Sequence, residues 1–178
     1  QSHWDGSKHF FTPESSMQHQ WDLGSDIHIA FDDCTPSPAT HEQAKKSMER
    51  THRWAVRSLD EHEKAYVARH SGKRGTSASR IRSWTDPGQT RNRQDDDKRY
   101  QALYGVVQGS TFEDLRKESA QFITSLDFDG IAIGGVSVGE SKKEMVKVLK
   151  WVTPLLPDNK PRHLLGVGEI DDIFALVE

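Results

Sequence analysis

Ile131-Ala132-Ile133-Gly134-Gly135-Val136-Ser137-Val138-Gly139-Glu140 decides how this chain is read. A short apolar run meets two glycines, and Ser141-Lys142-Lys143-Glu144 then opens an amphipathic segment. The order is strand, bare backbone, helix. Glycine has no Cβ, so at Gly134-Gly135 a ligand can come within hydrogen-bonding reach of the main chain. Strand ends with exposed backbone are where α/β proteins place binding sites. The plainer reading of such a loop is a tight turn.

Outward from this stretch the same unit recurs. Ile27 to Phe31 reads as a buried strand ending at Asp32-Asp33-Cys34, and Leu103 to Val107 as another ending at Gln108-Gly109. Asp129-Gly130 turns into the third strand, and His163 to Val167 is the fourth, with Gly166 and Gly168 at its end. Helices fill the intervals. Thr40-His41-Glu42-Gln43 fits a capping box opening a long helix striped by Ala44, Met48, Ala55, Leu59, His62 and Tyr66. Ser110-Thr111-Phe112-Glu113 fits a second box, before a helix that buries Phe112, Leu115, Phe122 and Leu126. Ser141 to Glu144 fits a third, before Met145, Leu149 and Val152, with Pro154 as the stop. Ile170 onward reads as helix. At the front, Thr12-Pro13-Glu14 starts a helix with Met17 and Trp21 on one face and Gly24 as its stop. Residues 1–12 hold an Asp5-Gly6 turn whose flanks can pair as a small hairpin.

Repeated strand–helix units predict an α/β fold with a parallel sheet and right-handed crossovers, either doubly wound or part of a (β/α)₈ TIM barrel. Such units fill only half a barrel. With a first residue Gln1, the expectation is a piece of a longer protein. No G-x-G-x-x-G or P-loop is present.

Composition narrows the function classes. The 178 residues are 34% hydrophobic and 29% charged, with a net charge of −3, so no global basic field advertises nucleic acid. No run approaches the roughly 18 apolar residues of a membrane helix, so no membrane partner is expected. The single cysteine, Cys34, excludes an internal disulfide and a Cys₄ or Cys₃His zinc site, and a cytoplasmic protein is the simple reading. Residues 69–99 break the pattern. Only Ala78, Ile81 and Trp84 are apolar there, and nine basic residues against four acidic ones give +5. Too little apolar surface is available to offset ordering, so this is an inserted polar, basic surface loop, read either as a solvated linker or as a phosphate-binding arm.

The four strand ends share one rim. They present Asp32, Asp33 and Cys34; Gln108; the Gly134-Gly135 backbone; and Gly166-Val167-Gly168. A carboxylate accepts two hydrogen bonds, a glutamine amide donates and accepts, and bare N–H groups donate. Guanine offers two adjacent donors, N1–H and the N2 amine, beside the O6 acceptor. One Asp can take the donors while Gln108 and a glycine N–H address O6, and adenine would leave the carboxylate unpaired. Each residue also has a plain structural reading: a loop-capping Asp, a buried thiol, a loop-organising Gln, a Gly-x-Gly turn. Asp32 and Asp33 are disfavoured as an acid/base pair, because adjacent strand residues point to opposite faces.

These residues carry a specific likeness. The chain resembles the tRNA-guanine transglycosylases, which exchange guanine in the tRNA anticodon loop for a 7-deazaguanine. The matching stretches are Ser2 to His9 with Thr12-Pro13-Glu14; Leu23 through Cys34; Ser47 to Arg50 with Arg53-Trp54; Val107 to Ser110 with Glu113 to Arg116; Phe128 to Glu140; and Lys160-Pro161-Arg162 with Leu164 to Gly168. They follow the family's order over nearly the whole chain, interrupted by 69–99.

The resemblance implies a catalytic (β/α)₈ barrel of which 1–178 is a partial domain. It implies that Asp32 binds the base's N1–H and amine edge, that Gln108 and the Gly134-Gly135 backbone, through the Gly135 N–H, address O6, and that the Val136 carbonyl faces an aminomethyl group. Cys34 and Leu165 would line the pocket. Gly166, Val167, Gly168, Glu169, Ile170, Asp171 and Asp172 would approach the tRNA backbone. Phe31 to Cys34 and Val138 look like the bacterial type, which inserts 7-aminomethyl-7-deazaguanine. Departures are Val136 for a usual Leu, His163 for Tyr, Leu165 for Met, and Glu169-Ile170 for Lys-Pro, the last removing a positive charge beside the RNA path.

The family's acid/base Asp, its nucleophilic Asp and its zinc cysteines would lie outside 1–178. The chain itself is therefore expected to hold no catalytic residue, metal ligand or cofactor, with zinc and a homodimer implied for the intact enzyme. In the family an Asp attacks the ribose anomeric carbon, guanine leaves, and the new base attacks the covalent intermediate. The alternatives are a non-catalytic RNA- or partner-binding homologue, and a relative acting on DNA.

Overall fold

The structure, a computed structural model, describes residues 2–70 and 100–177. The sequence readings that fall on 71–99 lie outside the described residues. Helix α1 (Pro13–Leu23) precedes strand β1 (Ile27–Ile29), helix α2 (His41–His70), β2 (Ala102–Val107), α3 (Glu113–Thr124), β3 (Gly130–Ile133), α4 (Lys142–Val152), β4 (Arg162–Leu164) and α5 (Ile170–Val177). The four strands are parallel and adjacent in chain order, β1-β2-β3-β4. The order never reverses, so among the described residues the sheet has no doubly wound switch point and advances in one direction, as a barrel wall does.

Helices α2, α3, α4 and α5 pack side by side in sequence. Alternation along the strands sorts the side chains. Leu103, Val107, Ile131 and Ile133 meet Ala55, Ala120, Ile123, Met145, Val148 and Val152 from the helices in the main core. The reverse face carries Tyr104, Val106 and Ala132, with Ile29, Ala102 and Leu165 against them.

Local chemistry revises several expected boundaries. The described residues 2–12 form no hairpin. Asp5 takes the Ser7 N–H at 3.0 Å and Gly6 N–H returns to Ser2 O at 3.0 Å, a self-contained turn that leaves no ladder to pair. The first strand stops at Ile29. Ala30 N–H still reaches Tyr104 O at 2.9 Å, but Phe31 N–H turns to Ser58 Oγ on α2 at 3.1 Å. The fourth strand is Arg162–Leu164, shorter and one residue earlier at its start than expected, extended by Leu165 N–H to Ile133 O at 3.0 Å. The box expected at Ser110 to Glu113 does not form. Phe112 is the N-cap and its side chain has no group to cap with, while Ser110, two residues earlier, sits at φ 51 and gives its carbonyl to Arg116. The buried face of α3 is Leu115, Arg116, Ser119, Ala120 and Ile123, with Phe122 and Leu126 only partly covered. The boxes at Thr40 and Ser141 form as read, with Gln43 N–H to Thr40 Oγ1 at 3.2 Å and Ser141 N–H to Glu144 Oε2 at 2.8 Å. Helix α4 ends at Val152, and Pro154 sits in the single 3₁₀ turn Thr153–Leu155 that follows.

Where the chain leaves α2 and re-enters β2, Tyr66 and Tyr100 approach edge to face with ring centroids 6.0 Å apart, and the Tyr100 hydroxyl bonds Asp129 just before β3. This junction is at the strand starts.

Two buried histidines give the fold a pH response. His28 is wholly enclosed by Trp21 and His62, and burial together with the His62 ring pushes it down to about 4. Burial pushes His52 down to about 4 as well. The unfolded chain takes up these protons near the ordinary value of 6.5 while the folded chain withholds them. Stability is therefore lost as pH falls from about 6.5 to about 4. The full-length protein should show a steeper fall in melting temperature over that window than its His28→Gln/His52→Gln variant; matching slopes would rule out this source.

Candidate functional site

The C-terminal strand ends gather the predicted rim. The loop after β1 is sewn to α2 by hydroxyls: Thr51 Oγ1 accepts Asp33 N–H at 3.0 Å, and Ser47 Oγ donates to Asp33 O at 2.6 Å. Asp33 turns outward to Arg50 at 2.8 Å, and Asp32 turns the other way. The two carboxylates part as expected, but in the loop after β1 rather than in the strand: Asp33 is held by Thr51, Ser47 and Arg50 of α2 while Asp32 bonds Gln108. Asp32 Oδ2 accepts the Gln108 Nε2–H at 2.7 Å. Burial raises the Asp32 pKa and the Gln108 bond opposes that rise.

Gln108 is buried at the end of β2, its own N–H held by Ser119 Oγ at 3.0 Å, and Ser119 lies 3.1 Å from His52 Nε2. Its side-chain amide lies flat against the glycine pair. A Cβ on Gly135, whose φ is +61, would come 2.5 Å from Gln108 Oε1, and one on Gly134 would come 2.7 Å from Nε2. Glycine is required here for contact as well as for backbone angle. Val136 sends its side chain into the core, so only its backbone faces the rim. Leu165 packs on the sheet face of Tyr104 and Val106. Cys34 is exposed at the edge; partial burial of its sulfur and the Asp32 carboxylate push the thiol up. Beside it an open groove of about 320 Å³ runs along Asp33, Pro36, Lys46 and Arg50.

The β4 end touches the same loop: a Cβ on Gly166 would lie 3.1 Å from Ser137 Cβ. Val167 is partly buried, and Gly168, Glu169, Ile170 and Asp171 are exposed. Asp172 is turned inward to Lys142 at 2.7 Å, and Lys142 also holds Glu169 at 3.0 Å. Both carboxylates raise the Lys142 pKa. A lysine on α4 thus answers Glu169 and Asp172 at the start of α5.

A family-wide sequence profile for queuine tRNA-ribosyltransferase matches residues 1–178. The chain belongs to the queuine tRNA-ribosyltransferase family. A curated relative of that name from Anoxybacillus flavithermus is 45% identical over 173 residues, 97% of this chain and 37% of its own length. Relatives of the same name from Bacillus thuringiensis and Bacillus cereus are 46% identical over the same shares. This family member therefore spans 37% of the length of those relatives. Among its described residues no group of three or more His, Cys, Asp or Glu side chains could hold a metal. No described helix is long and apolar enough to cross a membrane.

The sequence reading of this family member missed Arg116. It is wholly buried and donates to four carbonyl oxygens: Ser110 at 2.6 Å, Val107 at 3.1 Å, Gly134 at 2.7 Å and Gly135 at 2.6 Å. Burial holds its guanidinium down to about 10, still charged at neutral pH. The signal was an arginine in the helical row Arg116, Ser119, Ala120, Ile123, all buried.

Proposed function

We propose that this chain is the base-reading part of a tRNA-guanine transglycosylase barrel, and that the full-length protein exchanges guanine in the tRNA anticodon loop for 7-aminomethyl-7-deazaguanine. The observation that carries the reading is the Asp32–Gln108 bond. It uses one oxygen of Asp32 and one Nε2 hydrogen of Gln108, and Asp32 Oδ1 receives no bond from another described residue. An acceptor and a donor are thereby left side by side, spaced by a hydrogen bond, against bare glycine backbone. Guanine's N1–H and N2 amine suit the carboxylate, and O6 suits Gln108 and the Gly135 N–H. The Val136 carbonyl would meet an aminomethyl group, with Cys34 and Leu165 as pocket walls. Gly166 to Asp172 would pass the tRNA backbone. Cleavage and remaking of the glycosidic bond would fall to aspartates outside 1–178. The intact enzyme would be a cytoplasmic homodimer.

The test is exchange of radiolabelled guanine by the full-length protein into tRNA and, in parallel, into duplex DNA. Incorporation into tRNA alone supports the reading. Incorporation into DNA moves the substrate class, and none into either leaves a non-catalytic homologue.

Asp32 also sets a pH dependence. Base recognition needs the ionised carboxylate, and burial raises its pKa above the ordinary 3.8. Guanine KM should climb on the acid side, with its midpoint above that value, and Asp32→Asn should abolish the climb. An acid limb that survives in Asp32→Asn assigns it to another group.

A further inference from the structure

We infer that Arg116 is a positioning residue for base recognition: its buried guanidinium fixes the two peptide planes that present the Gly135 and Val136 N–H groups. This rests on the base-reading role proposed for the glycine loop. A trans peptide sets each carbonyl antiparallel to the next residue's N–H. The Gly134 and Gly135 carbonyls both point back at Arg116, at 2.7 and 2.6 Å. The N–H groups of Gly135 and Val136 therefore point the opposite way, and neither donates to another described residue. Both donors are unspent, the Gly135 N–H on a half-buried residue beside Gln108 and the Val136 N–H on a buried one.

Helix stability does not explain this arginine. It lies in the first turns of α3, where the helix dipole disfavours a cation, and Glu113 and Asp114 already serve that end. No carboxylate bonds it; all four partners are main-chain carbonyls at the ends of β2 and β3 and in the turn after β2. The planar fork is what spans carbonyls of two strands at once, and a lysine ammonium cannot reproduce it. Gly109 makes room for this arrangement, since a Cβ there would lie 2.9 Å from the Arg116 backbone nitrogen.

The experiment compares the full-length protein with Arg116→Lys and Arg116→Ala. It reads guanine KM, tRNA KM, kcat, melting temperature and amide exchange of Gly134, whose N–H bonds Val107 O at 3.1 Å beside the guanidinium. For Arg116→Lys the expected result is a rise of about tenfold in guanine KM, with tRNA KM and kcat within about twofold, and faster exchange at Gly134. Added methylguanidinium should restore guanine KM in Arg116→Ala; if that variant does not fold, Arg116→Lys decides. A folded Arg116→Lys with unchanged guanine KM overturns the inference, as does a parallel rise in both KM values. If the wild type incorporates no guanine, the proposed function fails on its own. Gly134 exchange then judges Arg116: faster exchange keeps its hold on the loop, and unchanged exchange removes it.

Discussion

Asp32→Ala in the full-length protein should lower kcat/KM for guanine by roughly 30- to 1,000-fold, the equivalent of about 2–4 kcal/mol, without lowering the melting temperature. The two halves have different causes. Removing the carboxylate strands two guanine donors, and it frees the Gln108 Nε2–H held at 2.7 Å. Donors left unpaired cost more than a bond gained is worth. Stability moves the other way, because burial raises the Asp32 pKa and a buried charge burdens the fold. Asp32→Asn keeps the shape and one acceptor, so it should lose less against guanine. A large loss of stability in Asp32→Ala, or unchanged exchange kinetics, contradicts the assignment.

Gly135→Ala should cost more than its size suggests: about 1–3 kcal/mol of stability and on the order of 100-fold in kcat/KM for guanine. The residue sits at φ +61, and a methyl group there would come 2.5 Å from Gln108 Oε1 and 3.3 Å from Arg116 Nη2. Gln108 must then move, and with it the partner of Asp32. Gly24→Ala is the control. Its φ is +69, and an added Cβ meets nothing within 4 Å, so it carries the backbone strain without the collision. Equal stability loss and equal activity in the two variants would show that the Gln108 contact is immaterial.

Much of this was legible in the sequence because its signals are local. Apolar runs ending in glycine mark the strand ends, and serine or threonine three residues before a polar acceptor marks two of the helix starts. Asp32 and Asp33 do point apart, as strand alternation led one to expect, yet they lie beyond the strand, and the contacts of Asp33 with α2 and of Asp32 with Gln108 separate them. What was not legible depends on partners distant in the chain. The first strand ends early because Ser58, twenty-seven positions on, captures the Phe31 N–H. The third helix starts without a side-chain cap because its N-cap falls on Phe112, two residues past the Ser110 that the box required. Arg116 escaped notice because a charged residue in a helix reads as solvent-facing until four carbonyls converge on it. Asp172 showed its acidity but not that Lys142 draws it inward.

The contact between Tyr66 and Tyr100 has a practical meaning for engineering. In a parallel α/β layer the strand starts and the strand ends are opposite faces, and Asp32, Gln108 and Gly135 occupy the second. The two tyrosines bring the chain ends on either side of 71–99 together on the first, with ring centroids 6.0 Å apart. That makes the pair a splice point. A short turn, or a foreign domain whose termini lie close together, can be joined there with the pocket at the opposite ends of the strands, so a reporter or affinity tag placed between Tyr66 and Tyr100 need not touch base recognition.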